Sequence, residues 1–175
     1  IAEEIGAVLI FDEITSGFRM CAGGIHRRYG VEPDLAVFSK SIANGYAMSV
    51  IIGKDDVMQA AQSSFISSTN WTERIGPVAA IATIKKYIDK RAEHHLIRIG
   101  NMVKDIWNEA SLESGMNIHI SGLPTLCNFT FDHKRNRELS TRFVSEMLKR
   151  GFLAFRQFKP SLAHNDSDIE KYKTA

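Results

Sequence analysis

The amino-acid sequence predicts an α/β chain in two parts: a stretch of mostly parallel sheet with helices, followed by a small α+β domain. Three observations carry this. Short apolar runs near the start end in polar or charged side chains, as strands buried in a parallel sheet do. A long region with apolar residues at helical spacing follows, and after Gly115 the texture changes to strand, helix, strand. The expected division is residues 1–100 and 101–175.

Taken in order, Ala7-Val8-Leu9-Ile10-Phe11 is apolar and β-rich, the pattern of a strand covered on both faces, and it ends in Asp12-Glu13. Leu35-Ala36-Val37-Phe38 is a second such run, ending at Ser39-Lys40. The 22 residues Glu13 to Asp34 between them suffice for a crossover joining parallel strands. Ala47 to Ile52 is β-like and closed by Gly53, and Asp55 to Gln62 reads as a short helix. Helical spacing then runs from Gly76 to Leu112, through Ala80, Ile84, Tyr87 and Ile88 and on through Ile99, Val103 and Trp107. Pro77 is tolerated near its start, and a break is expected between Lys90 and His94. Ile118 to Ile120, Leu126 to Phe131 and Gly151 to Ala154 read as strands, and Arg137 to Arg150 as an amphipathic helix. Asp166 to Tyr172 reads as a terminal helix capped by Asn165 or Asp166.

Bulk properties narrow the function classes. With 175 residues, 44% hydrophobic and 24% charged, the chain has the composition of an ordinary globular protein. A net charge of +2 without a basic, aromatic-interleaved stripe argues against nucleic acid as the partner. No apolar run reaches the roughly 18 residues a membrane span needs. Cys21 and Cys127 show no paired spacing, which suits a reducing, cytoplasmic compartment rather than a disulfide framework or zinc site. The six histidines show no metal-binding spacing, so no metal is expected. Ile1 is not a methionine and stands just before a strand, so the sequence reads as a fragment lacking an N-terminal portion.

Chemistry is expected at the carboxyl ends of the strands, where ligands of open α/β sheets gather. Asp12 and Lys40 each stand at such an end. An Asp there can keep a pyridine-type nitrogen protonated. A Lys there can form a Schiff base, provided its surroundings leave free amine available. Ile14 lies two positions beyond Asp12, so in an extended segment it points to the same side and can pack on a flat ring. Arg19 is read as a structural ion pair or a carboxylate binder, and Trp71 as a pocket or core residue. Ser63-Ser64 and Ser67-Ser68-Thr69 form a polar loop. An apolar strand ending in Asp-Glu also suits the metal-binding strand of a P-loop ATPase, although the chain has no phosphate-binding G-x-x-x-x-G-K-[ST] loop.

The neighbours of these residues add specificity. Ile10-Phe11-Asp12-Glu13-Ile14-Thr15-Ser16-Gly17-Phe18-Arg19 resembles the aspartate motif of class III aminotransferases, particularly the glutamate-1-semialdehyde aminomutase-like subgroup. Tyr29-Gly30-Val31-Glu32-Pro33-Asp34 resembles the family's approach to the lysine strand, and Ser39 to Tyr46 stands where its lysine and following turn belong. Thr72-Glu73-Arg74-Ile75-Gly76-Pro77 and Pro160-Ser161-Leu162-Ala163-His164 are similar to two later segments, so the likeness spans nearly the whole chain in order.

The resemblance implies a fold-type-I, pyridoxal 5′-phosphate-dependent enzyme acting on a small amino or keto acid as a homodimer. Lys40 would hold the cofactor as a Schiff base and shuttle a proton. Asp12 would pair with the ring nitrogen, Ile14 would pack on the ring face, and Thr72 would contact the phosphate of the neighbouring subunit's cofactor. The turn after the lysine departs from the family in having one glycine, Gly45, where several are usual. The family's phosphate cradle and ring-stacking aromatic come from an N-terminal half with no counterpart here, so an inactive assembly piece is the third reading beside the enzyme and the ATPase.

Overall fold

A computed structural model describes all residues, 1–175, and divides them into two compact units, Ile1–Glu93 and His94–Ala175. The first is built on a three-stranded sheet, β1 (Ile10–Asp12), β2 (Leu35–Phe38) and β3 (Val50–Gly53), in that order. β1 and β2 run parallel, with Ile10 opposite Leu35 and Asp12 opposite Val37, whereas β3 returns antiparallel to β2. The sheet is therefore mixed. The connection from β1 to β2 does cross over between parallel strands, but through turns and a short 3-10 stretch at Ile25–Tyr29 rather than a long helix.

β1 is shorter and barer than the five-residue apolar run suggests. Leu9 is tied to the Pro33-Asp34 corner before pairing begins: its N–H donates to Asp34 Oδ2 at 2.7 Å, and its carbonyl accepts from the amides of Asp34 and Leu35. Lys54 donates to the other Asp34 oxygen at 2.7 Å, so one carboxylate clamps the entry of β1 and the exit of β3. The expected burial on both faces is not met, because β1 has one neighbour strand and leaves Val8 and Ile10 about half exposed.

Beyond β3 come α1 (Asp55–Met58), a 3-10 turn at Gln59–Ser63, and α2 (Ile75–Lys90). Arg91 adopts a left-handed φ of 45° and ends α2, so the expected break falls there and α3 (Ala92–Ser114) starts at once. α2 lays Ala79, Ala80 and Ile84 against Phe38, Ile42 and Ala43, which sets the turn following β2 on a packed base.

The second unit pairs β4 (Ile118–Ser121), β5 (Cys127–Phe131) and β6 (Gln157–Phe158) as an antiparallel sheet, β5 central. With α3, α4 (Asn136–Lys149) and α5 (Asp166–Thr174) it buries Ile99, Val103, Trp107, Cys127, Phe129 and Ile169 as one cluster. Burial pushes the Cys127 thiol up to about 11. Asn165 caps α5 in a reciprocal box with Asp168. The strand expected at Gly151–Ala154 is absent. The amides of Gly151 and Phe152 are spent closing α4, on the carbonyls of Leu148 and Met147, and Gly151 turns with φ 86°. Backbone bonding to β5 begins at Arg156, whose carbonyl accepts from the Phe129 N–H at 2.9 Å, and the strand register starts at Gln157.

Candidate active site

The parallel pair sends the chain out twice at one end of the sheet, once after Asp12 and once after Phe38. Asp12 ends β1, and its Oδ1 accepts the Ile14 N–H at 2.9 Å. That bond bends the chain into a turn, so Ile14 does not continue the strand as the period-two reading assumed; it sits half-buried in the turn. Lys40 opens the 3-10 turn Lys40–Ala43 with a left-handed φ of 49°, a backbone state that L residues adopt at a cost. Its Nζ donates to Thr15 Oγ1 at 2.6 Å. The structure thus brings Lys40 to the turn that begins at Asp12. Both side chains are exposed, so this chain does not itself supply the partly dry surroundings expected for the pair.

Glu13 faces the other way. It is 1% exposed, and its carboxylate accepts from Ser16 Oγ (2.5 Å) and the His26 backbone N–H (3.1 Å), with the His26 ring Nδ1 at 2.9 Å. Burial works against the charge, but the hydrogen bonds from Ser16, from the Ile25–His26 backbone and from the His26 ring prevail and hold the carboxyl below its ordinary range. Phe11 meets the same imidazole edge-on at 5.5 Å. A side chain at Gly24 would collide with the His26 ring and Glu13 Oε1, so only glycine leaves room for this knot. Glu13 is thereby committed to the fold. Asp12 and Glu13 do not face a common metal or water site, as the ATPase reading requires, and no group of His, Cys, Asp and Glu is arranged to hold a metal ion.

Thr72 lies in an exposed turn just ahead of α2 and is not joined to Asp12, Ile14 or Lys40 by a hydrogen bond. The first-turn amides of α2, at Ile75 and Gly76, are already taken by Glu73 at 2.7 and 3.0 Å, which hold that carboxyl low. Arg19 donates Nε to the Thr15 carbonyl at 2.6 Å instead of forming the expected ion pair, and Trp71 is 67% exposed. Sequence reasoning missed Thr15, Glu13 and His26 as members of this arrangement. Glu13 carried a usable signal, since alternation past Phe11 turns it opposite to Asp12; Thr15 carried none.

The sequence pattern of the family described as "Aminotransferase class-III" matches residues 1–171. The chain belongs to the class III aminotransferases. Among curated members, the 3-aminobutyryl-CoA aminotransferase of Cloacimonas acidaminovorans is 32% identical over 98% of this chain and 44% of its own length. The glutamate-1-semialdehyde 2,1-aminomutase of Ignicoccus hospitalis is 30% identical over the same shares. The class III chain thus spans under half the length of the curated relatives it matches. Among solved structures, the internal-aldimine form of the FumI protein of Sphingopyxis sp. MTA144 superposes with a TM-score of 0.93 at 24% identity, covering 99% of this chain and 42% of that one. An omega-transaminase from Sphaerobacter thermophilus gives 0.85 at 21% identity, covering 99% and 44%. These likenesses show the α/β fold of the pyridoxal-phosphate transferases.

Proposed function

We propose that this chain carries part of the active site of a pyridoxal 5′-phosphate-dependent aminotransferase or 2,1-aminomutase, with Lys40 as the cofactor-bearing lysine. One observation supports this above the others: Asp12 and Lys40 leave the same end of two adjacent parallel strands, and the lysine amine reaches the turn that Asp12 begins. The donor set suits the cofactor. Asp12 Oδ2 carries no hydrogen bond and can accept from a protonated ring nitrogen, while the Lys40 amine is engaged by a hydroxyl and not by a carboxylate.

When bound, the cofactor supplies an electron sink for the carbon bearing the amino group. Asp12 would pair with the ring nitrogen and keep it protonated, Ile14 would pack on the ring face, and the Lys40 amine would hold the cofactor and move a proton at the reacting carbon. Thr72 would meet the phosphate of a neighbouring subunit's cofactor in a homodimer. Glu73 already answers the charge of the helix end there, so the Thr72 hydroxyl and not the α2 amides would make that contact. The relatives include both an aminotransferase and an aminomutase, and the substrate proposed is a small amino or keto acid, nearest to glutamate-1-semialdehyde. The two unpaired cysteines support a cytoplasmic setting, and no helix is long and apolar enough to cross a membrane.

The test is to mix the chain with pyridoxal phosphate, follow the visible absorbance, reduce with borohydride and map the label by mass spectrometry. A visible band and a label on Lys40, both lost in Lys40→Ala, are expected. Labelling scattered over the lysines with no preference for Lys40 would instead favour the assembly-piece reading.

A further inference from the structure

We infer that Thr15 is a positioning residue for the Lys40 amine, holding it beside Asp12 whether or not the amine carries its extra proton. The inference rests on the function proposed above for its meaning but not for its test. Lys40 Nζ makes a single hydrogen bond, to Thr15 Oγ1 at 2.6 Å, and no ion pair. The side chain is exposed, so without that bond its four-carbon stem would sweep through solvent.

Thr15 can serve as an anchor because its own segment is fixed on both sides. Before it, the Ile14 amide is bonded to Asp12; after it, the Ser16 hydroxyl is bonded to the buried Glu13, and the Thr15 carbonyl accepts from Arg19. The β-branched side chain adds stiffness about χ1. Lys40 is aimed from its side by the left-handed backbone of the turn packed against α2.

The chemistry of the acceptor matters as much as its place. A carboxylate at that position would favour the charged ammonium and resist release of its proton. A hydroxyl can accept from an ammonium and can also donate to the lone pair of a neutral amine. The contact therefore survives loss and return of the proton, as an amine that must alternately attack a carbonyl carbon and carry a proton requires.

The experiment uses the cofactor-free chain. Lysines are labelled with trace acetic anhydride, and acetylation at Lys40 is compared with that at the other lysines by mass spectrometry, with circular dichroism and thermal unfolding as controls. Removing the hydroxyl in Thr15→Val, or in Thr15→Ala should the first variant fold poorly, is expected to raise relative labelling of Lys40 several-fold. Thr15→Ser, which keeps the hydroxyl, is expected to restore the unsubstituted level. Equal Lys40 labelling with and without the hydroxyl overturns the proposal. Pyridoxal phosphate is then added to the same proteins. If Lys40 of the unsubstituted chain takes no cofactor, the proposed function fails while the acetylation result still decides the role of Thr15.

Discussion

The two units solve the problem of burial differently. The second closes on itself: Trp107, Phe131 and Phe143 surround Phe129 edge-on at 4.9–5.3 Å, and the indole N–H of Trp107 donates to the Tyr172 hydroxyl at 2.9 Å. The first relies on small residues, Ala36, Ala43 and Ala80 around Phe38 and Ile42, and leaves many of its larger apolar side chains uncovered. Fifteen of the twenty large apolar residues left exposed lie there, among them Ile51 and Ile52 on β3 and Ile75, Val78 and Ile81 along α2. The candidate site lies in the unit with the more exposed apolar surface. The self-sufficient unit holds no candidate site residue.

The sharpest way to break this contrast is to cut each kind of apolar residue. Phe129→Ala should cost about 3–5 kcal/mol in the second unit. Ile81→Ala, 68% exposed in the first, should stay within roughly 0.5 kcal/mol. Denaturant unfolding followed by fluorescence separates the units, because Trp107 is buried in one and Trp71 exposed in the other. Equal losses would erase the distinction.

Glu13 provides a smaller effect inside the first unit. Glu13→Gln should cost about 1–3 kcal/mol at neutral pH, since a buried, multiply bonded acceptor is partly lost. The folded carboxyl lies below its ordinary value of 4.5, so its contribution is complete above that pH and fades as acid is added. The unsubstituted chain should therefore lose stability on acidification below 4.5 more steeply than Glu13→Gln. Parallel melting-temperature profiles from pH 6 to 3 would show that the knot carries no such linkage.

The smallest effect belongs to the junction of α2 and α3. Arg91 is held at φ 45°, and Arg91→Gly should stabilise by about 0.5–1 kcal/mol, with relief of left-handed strain set against greater freedom of the unfolded chain. Destabilisation in the same denaturation series would mean that the arginine side chain holds the junction.

Most helices and the parallel pairing of β1 with β2 were legible from apolar spacing and from a connection of the right length. The strand misread at Gly151–Ala154 shows the limit of that reading: apolar content marks residues that seek cover, but which amides remain free for a sheet depends on how the preceding helix ends. β1 shows the same limit, since an apolar run does not reveal how many strands will flank it.

At the candidate site, the sequence by itself determined the chemical types and their strand ends, Asp12 and Lys40, because motif and position along a strand are local properties. Tertiary structure alone decided the rest: that Lys40 reaches Thr15 from 25 positions away, and that Glu13 turns inward to His26. Contacts between distant segments follow from strand order and from the packing of α2 beneath the lysine turn, and neither is written in any single stretch of residues.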